Sequence, residues 1–193
     1  MALVPMGCAY QGLTLPAVSA ITLQGEGTLT EPDPASNAFT RNPALVPVGA
    51  KLAAAMTPSD LSTNVVLTVS GLLPNRGYAV HAHTNACNPI PNSEGPHYQN
   101  RIDPAATSAA PSRNPEFANP SNEVWLDVRT DAAGSATSRA TVPFVFTDRG
   151  PGSIVVHEAV ETATDPGHAG DAGSRLACLT LSVVPPQPFS PLG

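Results

Sequence analysis

At 193 residues the chain is long enough for one well-filled domain and short for two. Its 22 prolines and 15 glycines disfavour long helices and favour strands punctuated by turns. The formal net charge is -6 and no basic run is present to neutralise a series of phosphates, which argues against a nucleic-acid partner. No stretch approaches the ~18 consecutive apolar residues of a membrane-spanning helix, and the opening Met-Ala-Leu-Val-Pro-Met-Gly-Cys lacks the charged and apolar regions of a signal peptide.

Taken in chain order, residues 1–16 show no clear pattern and read as a peripheral extension. From residue 19 onward apolar residues alternate with polar ones at period two, the pattern of strands with one buried face. This predicts strands over 19–25, 50–56, 64–70, 78–83, 123–129, 136–146, 153–157 and 175–184. In the third of these, Val65, Leu67 and Val69 share one face while Asn64, Thr68 and Ser70 lie opposite. About eight strands suffice for two packed sheets, so the expected fold class is an all-β sandwich. Turn signals fall at 73–77, 130–134 and 148–152, the last two read as connections between antiparallel neighbours. Residues 84–122, rich in proline and asparagine, and residues 158–174, rich in Gly, Ala and Asp, break the alternation; loops this long inside a domain are commonly functional or disordered. Residues 185–193 form a proline-rich tail that cannot continue a sheet.

Three cysteines, Cys8, Cys87 and Cys178, permit one bridge and leave one thiol, and spacing does not choose the pair. Of five histidines, four suit a metal. His81 and His83 are two apart on a predicted strand, so both imidazoles leave the same face within reach of one ion. His157 ends another strand, and His97 lies in Gly-Pro-His in the long irregular stretch. The His81-Ala82-His83 pair fits equally a pair of solvated residues on a half-buried strand. A set of four imidazoles suits Cu(II) on geometry and affinity, and Zn(II) or Ni(II) less specifically.

Five separated motifs then resemble the Cu/Zn superoxide dismutase family, in sequence and in order. They are Gly77-Tyr78-Ala79-Val80-His81-Ala82-His83, Cys87, Gly95-Pro96-His97-Tyr98, Ser153-Ile154-Val155-Val156-His157-Glu158, and Gly170-Asp171-Ala172-Gly173-Ser174-Arg175-Leu176-Ala177-Cys178. The resemblance covers roughly 17–184, taken here as the domain. It implies a Greek-key sandwich or flattened barrel with two long functional loops, and an enzyme that converts superoxide to dioxygen and hydrogen peroxide. It further implies that His81, His83 and His157 bind copper, and that His97 is the imidazole shared with zinc. Cys87 and Cys178 then match the family's disulfide, Arg175 matches the arginine that guides superoxide, and Cys8 is left over. A disulfide of this kind implies an expected setting outside the cytoplasm.

The chain departs from the family where zinc would bind. No histidine occurs from Tyr98 to Val156, so His97 and Asp127 alone would supply too few ligands for a closed zinc site. The expected cofactor is therefore copper without zinc. Asp127 fits either a carboxylate that holds the outer nitrogen of His97 or a solvent-facing residue at a strand edge. His168 matches no family ligand and reads as a solvated loop histidine, and Trp125 reads as packing. The alternative function is a weakly active or non-catalytic copper-binding or copper-delivery protein on the same fold. The oligomeric state is not legible.

Overall fold

The computed structural model describes residues 19–107 and 109–185. Cys8, the extension at 1–16 and the tail beyond Pro185 lie outside the described residues. Among the described residues there are eleven strands and no helix, and hence no helix long and apolar enough to cross a membrane.

The first sheet is built on the alternating segments. It comprises β1 (Thr22–Thr28), β3 (Lys51–Ser59), β4 (Ser62–Ser70), β8 (Ala136–Val142) and β11 (Ser182–Val184), in the order β11-β1-β3-β4-β8. Register follows the apolar pattern: Leu52 faces Val69, Ala54 faces Leu67 and Met56 faces Val65. All six side chains are buried on the same face of the sheet.

The second sheet holds β2 (Ala38–Thr40), β6 (Val80–His83), β9 (Ser153–His157) and β10 (Arg175–Thr180), in the order β2-β10-β9-β6. A small third sheet pairs β5 (Gly77–Tyr78) with β7 (Val128–Arg129). Every strand pairing is antiparallel and the sheets keep free edges, so the molecule is a β-sandwich without a closed barrel. Its main core lies between the sheets, where Val80, Ala82, Ile154, Val156, Ala177 and Leu179 meet Leu52, Met56 and Leu67.

β6 and β9 are buried throughout, because the face turned away from the main core is covered too. There Phe39, Val155 and Cys178 form a second apolar cluster, against which Cys87 packs. Cys87 and Cys178 are joined as a disulfide that closes a separation of 91 residues.

Several expectations are corrected, among them the single strand expected over 175–184, which is split into β10 and β11 in different sheets. The turns at 130–134 and 148–152 do not join paired neighbours: β7, β8 and β9 each belong to a different sheet. The strand expected over 123–129 is regular only at Val128–Arg129, and residues before it make single bridges, Trp125 to His81 and Glu123 to Gln99.

Candidate metal centre

Alternation along β6 turns Val80 and Ala82 into the main core, which leaves His81 and His83 on the opposite face. His81 is paired with Val155, and Val155 and His157 lie two apart on β9, so His157 shares that face. Arg175 is the direct cross-strand partner of His157. A register irregularity between Arg175 and Ala177 makes this consistent with Cys178 facing Val155; the extra residue of a bulge flips the parity and puts Arg175 and Cys178 on one face. His97 arrives from the irregular segment through a bridge to His83.

The four imidazoles form a single cluster whose ligand atoms all lie within 4.8 Å of one another. In each ring one nitrogen is held by a partner, and this fixes the tautomer. His83 Nδ1 donates to the Gly95 carbonyl at 2.9 Å and His157 Nδ1 to the Gly173 carbonyl at 3.3 Å. His97 Nδ1 donates to Glu123 Oε2 at 2.9 Å. His81 Nε2 lies 2.7 Å from Thr162 Oγ1, whose own proton goes to Asp127 Oδ1 at 2.8 Å, so the imidazole is the donor.

The opposite nitrogens are therefore bare lone pairs. His81 Nδ1 is buried with no hydrogen-bond partner, and the Nε2 atoms of His83 and His157 face each other at 3.1 Å. Two lone pairs at that distance repel unless a cation lies against them, and an orphaned buried nitrogen costs its desolvation. The residues present thus fit a metal ion, and an all-nitrogen set is the donor chemistry of copper, nickel or zinc.

Burial, reinforced by the neighbouring imidazoles with His97 foremost, holds His81 and His83 well below the ordinary histidine range. Burial, with His97 and Arg175 adding to it, lowers His157 to about 3. Neutral imidazoles are the metal-binding form.

The carboxylates are distributed differently from the expectation drawn for Asp127. Its Oδ1 accepts from Val80 N and Thr162 Oγ1, and its Oδ2 from Thr162 N. Asp127 therefore orients His81 through Thr162, and it does not touch His97. The pairing explains this: the bridge of His81 to Trp125 sets Asp127 beside Val80, whereas the bridge of Gln99 to Glu123 brings Glu123 beside His97. Glu123 is buried, and it also accepts from Gln99 Nε2 at 2.8 Å and Trp125 Nε1 at 2.7 Å. Trp125 thus carries a polar contact besides packing on His81.

Arg175 donates to Glu94 Oε2 at 3.1 Å and to the Gly95 carbonyl at 2.7 Å. Glu94 is fully buried and is ion-paired on its other oxygen with Arg41. Gly95 adopts φ +74°, and a side chain there would collide with Thr84 and Asn85. Glycine at this position lets one carbonyl serve both His83 and Arg175. Glu94, Glu123 and Thr162 have no sequence signal of their own, although Glu123 alternates in phase with Asp127 on the expected strand. His168 lies apart from the cluster, exposed and paired with Asp171.

A cavity of about 530 Å3 opens beside the cluster, lined by His97, His157 and Arg175 among others. No family model matches the chain, and no curated protein matches it in sequence.

Proposed function

We propose that the chain is a copper-dependent superoxide dismutase that works without a zinc site, a copper-only relative of the Cu/Zn superoxide dismutases it resembles. The observation that carries this is the cluster of four imidazoles, each fixed in the tautomer that turns a lone pair inward. When bound, copper supplies one-electron chemistry by alternating between Cu(II) and Cu(I), through which two superoxide anions and two protons become dioxygen and hydrogen peroxide.

The chain's own residues supply position and charge. Arg175 lines the cavity beside its cross-strand partner His157 and offers a fixed guanidinium to a small anion, in a chain whose net charge is -6. Glu123 occupies the outer nitrogen of His97, and Asp127 is engaged by Val80 and Thr162. Those engagements favour a centre without zinc. The disulfide favours an extracytoplasmic setting, whether secreted, periplasmic or cell-surface.

One observation favours a second reading. The charge of Arg175 is partly compensated by the buried Glu94, which it shares with Arg41, and this suits a copper-binding or copper-delivering protein with slow turnover. Superoxide decay measured with the copper-loaded chain separates the two. Dismutation that falls about tenfold or more in Arg175→Ala is the outcome expected of the enzyme. Tight copper binding with no copper-dependent decay would establish the second reading in its place.

A further inference from the structure

The cavity beside the histidines is far larger than a diatomic anion needs. Its volume of about 530 Å3 falls within the ~300–1,000 Å3 of pockets that enclose organic molecules. Part of its wall is apolar, formed by Pro96, Ile102 and Ala172. Ile102 is 64% exposed, an aliphatic side chain at the cavity with little covering it.

Three arginines reach the same space: Arg113, Arg149 and Arg175. Two are already paired with carboxylates, Arg175 with Glu94, which it shares with Arg41, and Arg113 with Asp171 at 2.8 Å. Arg149 has no carboxylate partner among the described residues. It is nevertheless held in place, with Nη2 donating to the carbonyls of Gln99 and Asn100 and its guanidinium 4.7 Å over the Tyr98 ring. Nε and Nη1 have no protein acceptor among the described residues. A guanidinium immobilised through one nitrogen, with its other donors open and an apolar wall in the same cavity, is preorganised for a planar anion with an apolar body.

We propose that this cavity binds a small organic monoanion of the aryl carboxylate class, its carboxylate on Arg149 and its ring against Ile102, Pro96 and Ala172. The occupant lies over His97 and His157 and so controls access to the metal centre. The site depends on neither the metal's identity nor its turnover. It is read on the copper-free chain, so its failure and a failure of dismutation are separate results.

The test is a calorimetric titration of the full-length copper-free chain with benzoate and with its neutral isostere benzamide, with backbone amide shifts followed by NMR. Benzoate is expected to saturate one site, with benzamide about tenfold weaker or more. Arg149→Gln should bring benzoate down to the level of benzamide, Arg149→Lys should retain part of the difference, and Ile102→Ser should weaken both. The shift changes should cluster at residues 97–102, 149 and 170–173. Equal affinity for benzoate and benzamide, shift changes elsewhere, or no saturation by about 10 mM would overturn the proposal. That comparison is made on the unaltered chain and so decides the matter even where Arg149→Gln fails to fold.

Discussion

Glu123 and Glu94 are fully or almost fully buried carboxylates, and each is tolerated because its oxygens are paired. Glu123 gathers His97, Trp125 and Gln99, and it makes His97 present the nitrogen that faces the cluster. Glu123→Gln is expected to lower metal affinity about 10- to 100-fold in a chelator competition; an unchanged affinity would remove Glu123 from the centre. Glu94→Gln leaves Arg41 and Arg175 without their common counter-ion, and denaturant unfolding should show a loss of about 3 kcal/mol. The imidazoles set the acid limit of the metal-free protein. His81, His83 and His157 have folded-state pKa values below that of an unfolded histidine, so below about pH 6.5 the unfolded chain binds protons that the folded chain does not. Their contribution to stability is therefore full above about pH 6.5 and is lost progressively as pH falls through the window toward about 3, the lowered value of His157. Thermal melts of the metal-free chain across that window should show the decline, and a flat profile would contradict it.

At the scale of elements, the strands that alternate were legible. β4 buries Val65, Leu67 and Val69 on one face, and β9 spans Ser153–His157 as the pattern predicts. β2 was not legible, since three buried residues, Ala38–Thr40, offer no alternation to read. β8 stops at Val142, short of the predicted 146, because Pro143 has no N–H to continue a ladder. The bulge that sets Arg175 beside His157 leaves no mark in residue spacing, yet it decides which face the arginine occupies. The disulfide acts at this scale as well. It ties the irregular segment carrying Cys87, Glu94 and Gly95 to β10, with Cys87 N donating to Thr180 Oγ1. Cys87→Ser is expected to cost about 4 kcal/mol of stability, the entropy of closing so long a loop. Chemical unfolding of the two forms measures it, and a difference near zero would place the restraint elsewhere.

For the whole molecule, the sandwich supplies a rigid outer face on which three histidines and an arginine are fixed by strand register, while the irregular segment supplies His97 and its carboxylate. This division explains what could be read in advance. The histidines stand on or near recognisable strands or in a Gly-Pro-His turn, so their grouping was legible. The partners Glu123, Glu94 and Thr162 are brought in by isolated bridges and turn geometry, which follow from tertiary packing and not from local pattern. The expectation for Asp127 failed on the same ground: its residue type was right for holding an imidazole, but its register delivers it to Thr162 and His81. The most direct test of the centre is elemental analysis of the purified chain after copper and zinc are offered together. The proposed copper-only function predicts one copper and no zinc per chain, with the copper lost in His81→Ala. A chain that takes up zinc stoichiometrically, or retains no metal at all, would contradict it.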